Sequence, residues 1–91
     1  ISLEFVGMGL SVKEGTNATM GTCTLVVGVC TVSTNKVTAN SRIFLSVQSL
    51  GAVTLPKAVG VTARTAGTSF VIKSGDATDT SVVAWEIVEP L

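Results

Sequence analysis

The sequence predicts an all-β fold, a small antiparallel β-sandwich or jelly roll. Fifteen Val, thirteen Thr and four Ile make about a third of the 91 residues β-branched, and such residues fit a pleated strand better than a helix. Turn-forming residues separate short alternating segments at intervals of about eight to twelve residues. Helix-forming residues never cluster with a helical period, so we expect seven or eight strands and no helix longer than one turn.

The length indicates a single domain over residues 1–91 with one small core. Apolar residues make up 46% of the chain and charged residues only 13%, whereas an ordinary soluble domain is roughly 25% charged. The excess of apolar residues fits either a membrane-associated segment or a second surface buried against another chain. Because Thr, Ser and Gly interrupt every apolar run well short of the roughly 18 residues of a spanning helix, we favour an obligate oligomer without membrane insertion.

The charges of the chain are balanced. Six Lys or Arg match six Asp or Glu, which gives no electrostatic reason to expect nucleic acid as a partner. The chain has no initiator Met and no basic segment ahead of an apolar run, so we expect Ile1 to begin a fragment or a processed chain of a longer protein. A second copy of the same chain is therefore the partner that the composition favours.

The first third of the chain contains two candidate strands and the clearest hairpin signal. Residues 1–6 alternate as a first strand, residues 10–13 fit a short second strand, and residues 14–17 form a polar turn. The segment GTCTLVVGVCTVS, residues 21–33, predicts two strands joined at Val27 and Gly28, where Gly supplies a positive φ. The hairpin register would pair Val26 with Val29, Leu25 with Cys30, Thr24 with Thr31, and Cys23 with Val32. Four of these side chains would then share the core face: Cys23, Leu25, Cys30 and Val32.

The fold is organised around the strand predicted for residues 38–48, TANSRIFLSVQ. The chain turns at Asn40 and Ser41 and then alternates strictly. The alternation points Ser41, Ile43, Leu45 and Val47 towards the core, and Arg42, Phe44, Ser46 and Gln48 away from it. Phe44 is apolar on a face that is otherwise polar, so we expect something other than water to cover it.

The second half of the chain predicts a loop followed by three strands. In order, we expect a loop at residues 49–60, a strand at 59–65, a turn at Gly67, a strand at 68–74, a polar turn at 74–80 and a last strand at 81–89. In the strand at 59–65, Val59, Val61 and Ala63 share one face. In the strand at 68–74, Phe70 and Ile72 share one face. Both faces of the last strand are apolar, so both are expected to be buried.

Two strands carry apolar residues on the face that points away from the core. The candidate subunit interface consists of Phe44, Val82, Ala84 and Val88. The alternative is that a loop such as residues 49–58 of the same chain folds over this face. We favour the interface between subunits because the low charge of the whole chain points the same way.

The inventory of reactive side chains is thin. The chain has no His, which removes the commonest general base and metal ligand. Cys23 and Cys30 fit either a disulfide or redox pair or two small buried thiols, and we favour the thiols because the hairpin register places them diagonally. The turn at residues 74–80 has too few carboxylates for a recognised calcium loop. We expect no catalytic, cofactor-binding or metal-binding residue, no cofactor and no enzymatic activity.

Polar turns at the strand ends are the candidate receptor-contact loops. We expect the turns at residues 33–36 and 74–80 to lie at one end of the sandwich, where they would contact a bacterial surface polysaccharide or lipopolysaccharide. Their exposed candidates are Asn35, Lys36, Asp76 and Asp79. Four other cations could recognise an anionic sugar, although lone charges on wet strand faces usually serve solubility: Arg42, Lys57, Arg64 and Lys73. Trp85 is expected in the core rather than as a sugar-stacking platform.

Residues 15–48 and 61–90 together resemble a known family. The segments GTNATMGTCTLVVGVCTVSTNKVTANSRIFLSVQ and VTARTAGTSFVIKSGDATDTSVVAWEIVEP are similar to the small C-terminal domain of bacteriophage tail-fibre, tailspike and appendage proteins. The strongest motifs are residues 38–48, 63–69 and 79–90. Such domains usually carry small apolar residues or Thr in the hairpin, so Cys23 departs from the pattern. The resemblance implies a β-sandwich or jelly roll that assembles as a homotrimer at the tip of a virion fibre.

The resemblance and the composition lead to the same expected function. The chain is predicted to be a non-enzymatic structural domain of a phage tail fibre or spike that promotes trimerisation and contributes to host-surface attachment. It would belong to the virion and pass through the host cytoplasm during assembly. Two alternatives stay open: a carbohydrate-binding receptor-recognition module, and a C-terminal intramolecular chaperone that is released by self-cleavage.

Overall fold

The computed structural model describes residues 11–91, which form two antiparallel three-stranded sheets without a helix. The strands are β1 (Met20–Thr24), β2 (Val29–Ser33), β3 (Arg42–Ser49), β4 (Val59–Thr65), β5 (Ser69–Ser74) and β6 (Val82–Val88). The first sheet has the order β1-β6-β3, and the second has the order β2-β5-β4. The predicted all-β class is confirmed. None of the described residues lies in a helix long and apolar enough to cross a membrane.

The described residues contain six strands rather than seven or eight. The candidate strand at residues 1–6 lies outside the described residues, as does Leu10, the start of the next candidate. Residues 11–13 are not in a strand, so the second candidate is wrong over that part. The polar turn that follows is confirmed, with the Ala18 amide donating to the Gly15 carbonyl over 3.2 Å.

The turn predicted at Val27 and Gly28 is confirmed, but the hairpin around it is not. Val26 and Val29 exchange backbone hydrogen bonds of 2.9 and 3.1 Å. Beyond this pair the two strands separate into different sheets, because β1 pairs with β6 over five residues and β2 pairs with β5 over five residues. The predicted pairs Leu25–Cys30, Thr24–Thr31 and Cys23–Val32 are therefore wrong. The segment is a crossover between sheets.

The crossover explains why the expectation of two thiols is wrong. Cys23 in β1 and Cys30 in β2 both point inwards, as predicted, but they do so from facing sheets. Their Cα atoms lie 6.3 Å apart, and a disulfide joins them. The bond therefore connects the two sheets across one edge of the core.

The core lies between the two sheets and is centred on an aromatic pair. Phe70 of β5 and Trp85 of β6 meet edge to face, with ring centroids 5.4 Å apart and an interplanar angle of 80°. Trp85 is 6% exposed, which confirms it as a core residue. Gly21 leaves room for its ring, because a Cβ atom at residue 21 would lie only 2.9 Å from the indole. The other buried apolar residues are Leu25, Cys30, Val32, Val37, Ile72, Val83 and Ile87.

Strand β3 follows its predicted alternation. Ile43 and Leu45 pack against the core, whereas Phe44 points away from it and is 60% exposed. The pairing with β6 places Leu45 opposite Trp85 and Phe44 opposite Glu86. A bulge at Gln48 ends the regular register.

Strands β4 and β5 form a local hairpin that the sequence only partly revealed. Gly67 provides the predicted turn with φ of 72°. A bulge after Val61 shifts the register, so that Ala63 pairs with Val71 and Arg64 pairs with Phe70. The predicted alternation is therefore correct up to Val61 and wrong beyond it, because one extra residue reverses the faces of those that follow.

Candidate interaction surfaces

The face of the first sheet that points away from the core is the first candidate surface, called the outer face below. The register aligns Met20, Glu86 and Phe44 in one row across the three strands, and Thr22, Ala84 and Ser46 in the next. Val82 and Val88 lie in the flanking rows. All four residues of the predicted interface thus share one face: Phe44, Val82, Ala84 and Val88.

The outer face carries apolar side chains around Glu86 and is not covered by the described part of the chain. Phe44 is 60% exposed and Val88 is 44% exposed, while Val82 and Ala84 are half-buried. The loop over residues 50–58 is held at Gly51 by Thr80 and at Ala58 by Gly75, which lie at one end of the sandwich. The loop therefore does not cover Phe44, which was the alternative raised by the sequence.

The two predicted receptor-contact turns lie at opposite ends of the sandwich. Because Ser33 pairs with Ser69 and Val29 pairs with Lys73, the turn after β2 and the turn after β5 point in opposite directions along the sheet. Asn35 and Lys36 are exposed at one end, called the Glu89 end, and Asp76 lies at the other, called the Asp76 end. The turns therefore do not form the single site that we expected.

Asp79 is a buried structural residue rather than a surface contact. Its side chain has no exposed area. One carboxylate oxygen accepts a hydrogen bond from Ser74 Oγ over 2.6 Å, and the other accepts one from the Ser81 amide over 2.9 Å. Hydrogen bonds from Ser74 and Ser81 hold the pKa of Asp79 below its usual value, so the carboxylate is charged at neutral pH.

Asp76 caps the turn after β5 and stays at the surface. Its Oδ1 atom accepts hydrogen bonds from Thr78 Oγ1 over 2.7 Å and from the Thr78 amide over 2.8 Å. These bonds lower the pKa of Asp76, and the positive charge of Lys57 lowers it further. The predicted turn chemistry at both aspartates is thus confirmed, although only Asp76 presents its carboxylate at the surface.

A polar cluster closes the Glu89 end. The Glu89 carboxylate accepts hydrogen bonds from the hydroxyls of Thr38 and Ser41. Arg64 donates to the Ser41 carbonyl over 2.7 Å, so this residue joins β4 to the start of β3 instead of serving solubility alone. Hydrogen bonds from Ser41 and then Thr38 lower the pKa of Glu89, and Arg42 and Arg64 add a smaller effect of the same sign.

The described residues hold no group of three or more His, Cys, Asp or Glu side chains that could bind a metal ion. Sequence reasoning missed the structural roles of Asp79 and Arg64. The partner of Arg64 is distant in the sequence, and the orientation of Arg64 depends on the bulge after Val61. The available signal for Asp79 was the local Asp-x-Ser pattern of residues 79–81, since the Ser81 amide donates to Asp79 and the second partner, Ser74, lies only five residues before it.

The comparison with protein families identifies the kind of domain. The family described as "K1 capsule-specific polysaccharide lyase, C-terminal domain" matches residues 17–88, which is 72 of the 91 residues. The chain belongs to this family. This membership agrees, at family level, with the resemblance of the sequence to the C-terminal domains of phage tail appendages. No curated protein matches the chain.

Proposed function

We propose that this K1-lyase C-terminal domain is a non-catalytic structural domain of a phage tail fibre or spike that acts on a capsule. In this proposal the domain assembles as a homotrimer through the outer face and contributes to attachment of the virion to the host surface. It is made in the host cytoplasm and becomes part of the virion. The family match supports the setting, and the exposed apolar outer face supports the assembly.

The observation that carries the proposal is the exposure of Phe44 in the middle of a regular sheet. A Phe side chain presents roughly 200 Å² of surface, so its 60% exposed fraction is about 120 Å². Burial of this area in a subunit contact would contribute up to about 3 kcal/mol per protomer at 25 cal/mol per Å². Arg42 and Glu86 place one positive and one negative charge on the same face, so the outer face carries no net charge from these two residues.

A non-catalytic role is supported by the chemistry of the candidate groups. The sequence contains no His. Asp79 and Glu89 are engaged in hydrogen bonds that join loops to strands, and their lowered pKa values oppose a role as proton donors near neutral pH. The domain would therefore leave lyase chemistry to other parts of the longer protein.

Sedimentation equilibrium of the wild-type chain and a Phe44→Asp variant tests the assembly. We expect the wild type to be a trimer at micromolar concentration and Phe44→Asp to be a monomer or an unfolded chain, because three carboxylates would be buried in the contact. Val27→Asp is the matched control. Val27 is 70% exposed but lies in the turn at the Asp76 end, so this variant should remain a trimer.

Circular dichroism of the same samples separates loss of assembly from loss of folding. A stable wild-type monomer at micromolar concentration would refute the proposed assembly. A trimer that survives in Phe44→Asp would place the contact elsewhere on the domain.

A further inference from the structure

The outer face contains a shallow hollow directly beside Phe44. Its volume is about 160 Å³, and its lining is mainly apolar. Met20, Glu86 and Phe44 line it from one row of the sheet, and Ala84 and Ser46 line it from the next row. The hollow exists because small side chains in one row follow large side chains in the other.

The hollow suits a single aromatic ring. A dry cavity of about 150 Å³ in another protein binds benzene, so a space of this size accepts a phenyl group. The residues around it favour such a ring, because the Met20 thioether attracts aromatic groups and the Glu86 carboxylate is attracted to the positive edge of a ring. The same chain's Phe44 does not fill the hollow, since that side chain is 60% exposed at its rim.

Phe44 of a neighbouring copy is the ring that fits this position. Among the aromatic side chains described within residues 11–91, Phe70 and Trp85 are buried and Phe44 is exposed, whereas Phe5 lies outside the described residues. Phe44 and the small pair behind the hollow are one row apart on the same face, which is roughly 7 Å along the strands. One copy of the face therefore presents both a projecting ring and a space that accepts one.

We propose that Phe44 of each copy inserts into the hollow of the next copy, so that three such contacts close the ring of the trimer. The inference rests on the proposed assembly through the outer face and gives that assembly a direction. Each contact runs head to tail, as a closed ring of identical subunits requires, and does not stack Phe44 on Phe44. Ala84 and Ser46 then determine which partner is accepted, because larger side chains there would leave no space for the ring.

A substitution that fills the hollow distinguishes this contact from a merely apolar one. Ala84→Leu adds apolar surface to the outer face, so a contact driven by apolar area alone would become tighter or stay the same. An inserted ring is instead displaced, because the added atoms occupy its space. We expect Ala84→Leu to raise the apparent dissociation constant of the trimer by about tenfold in sedimentation equilibrium, as typical overpacking does.

Thr22→Leu is the matched control. Thr22 pairs with Ala84 in the same row of the outer face and is exposed, but it does not line the hollow. This variant also adds apolar bulk to the face and should keep the dissociation constant of the wild type. Circular dichroism of both variants reports whether they are folded.

Isotope-filtered NOE spectra of the wild-type trimer test the contact without any substitution. Chains with ¹³C-labelled Ala and Met methyl groups in a deuterated background are refolded as a mixture with unlabelled chains. We expect NOEs from the Phe44 ring of unlabelled chains to the Ala84 and Met20 methyl groups of labelled chains. The filter removes contacts within one chain, so these signals report only contacts between copies.

The outcomes separate the hollow from the assembly itself. The hollow is refuted alone if the trimer forms without these NOEs, if the ring signals come from Phe5, or if folded Ala84→Leu assembles as tightly as the wild type. A wild-type monomer would refute the proposed assembly and this inference together. A wild-type dimer with the same NOEs would refute the trimer and support the insertion of Phe44.

Discussion

The turn between β1 and β2 provides a sharp test of the fold, because Val27 has a backbone conformation that β-branched residues avoid. Its φ is 53° and that of Gly28 is 75°, as in a type I′ turn. The left-handed region costs a non-Gly residue roughly 1–2 kcal/mol. Because the Val27 side chain is 70% exposed, its replacement loses only about 0.5 kcal/mol of the stabilisation that comes from apolar burial. Since Asn-Gly is a preferred type I′ pair, we expect Val27→Asn to stabilise the domain by about 1 kcal/mol.

Thermal and urea unfolding measure this gain. For a domain of this size, about 1 kcal/mol corresponds to a rise of roughly 4–8 °C in Tm. The urea midpoint should rise with an unchanged m-value. Protein concentration must be held constant between variants, because assembly raises the apparent stability.

Val26→Asn is the control for the change of side chain. Val26 is 65% exposed, pairs with Val29 and is not among the residues with positive φ. Asn is unfavourable in a strand, so this variant should be neutral or less stable than the wild type. A lower Tm for Val27→Asn, or equal effects of the two substitutions, would refute the assignment of backbone strain to Val27.

The remaining predictions concern acid and reduction. Asp76, Asp79 and Glu89 have lowered pKa values in the folded protein, so their ionised forms stabilise the fold fully above their unfolded pKa of about 4. This stabilisation is lost as the pH falls through their folded pKa values. Tm should therefore decrease when the pH is lowered below about 4. Asp79→Asn should reduce this acid sensitivity, and a wild-type Tm that is flat down to about pH 2 would contradict the linkage. Reduction of the disulfide, or the double substitution of Cys23 and Cys30 by Ser, should destabilise the domain by about 2–3 kcal/mol for so short a loop. Thiol titration in denaturant should find none in the oxidised chain, whereas two free thiols would contradict the bond.

Local patterns in the sequence predicted which residues face the core. The alternation of Ile43, Phe44 and Leu45 depends only on the two-residue period of a strand, and the structure confirms it. The turn at Val27 and Gly28 was also predictable, because a positive φ is a requirement of the turn itself. Exposure of Phe44 followed from the same alternation, and its burial in a trimer stays a prediction.

Pairing between strands was not predictable in the same way. The same turn sequence is compatible with a β1–β2 hairpin and with a crossover between sheets. Only the pairing of β1 with β6 and of β2 with β5 decides between them. The bulge after Val61 adds one residue without changing the local composition, so the orientation of Arg64 could not be predicted. For the same reason the two receptor-contact turns were expected together but lie at opposite ends.

The sequence by itself determined the all-β class, the alternation of the strands apart from the part of β4 beyond Val61, and the exposed apolar side chains around Phe44. These features depend on periodicity and composition, which are local. Only the tertiary structure decided that Cys23 meets Cys30 across the sheets, that Arg64 reaches the Ser41 carbonyl, and that the two receptor-contact turns lie at opposite ends. Each of these depends on contacts between segments whose order in space is fixed by strand pairing, and no short stretch of sequence carries that information.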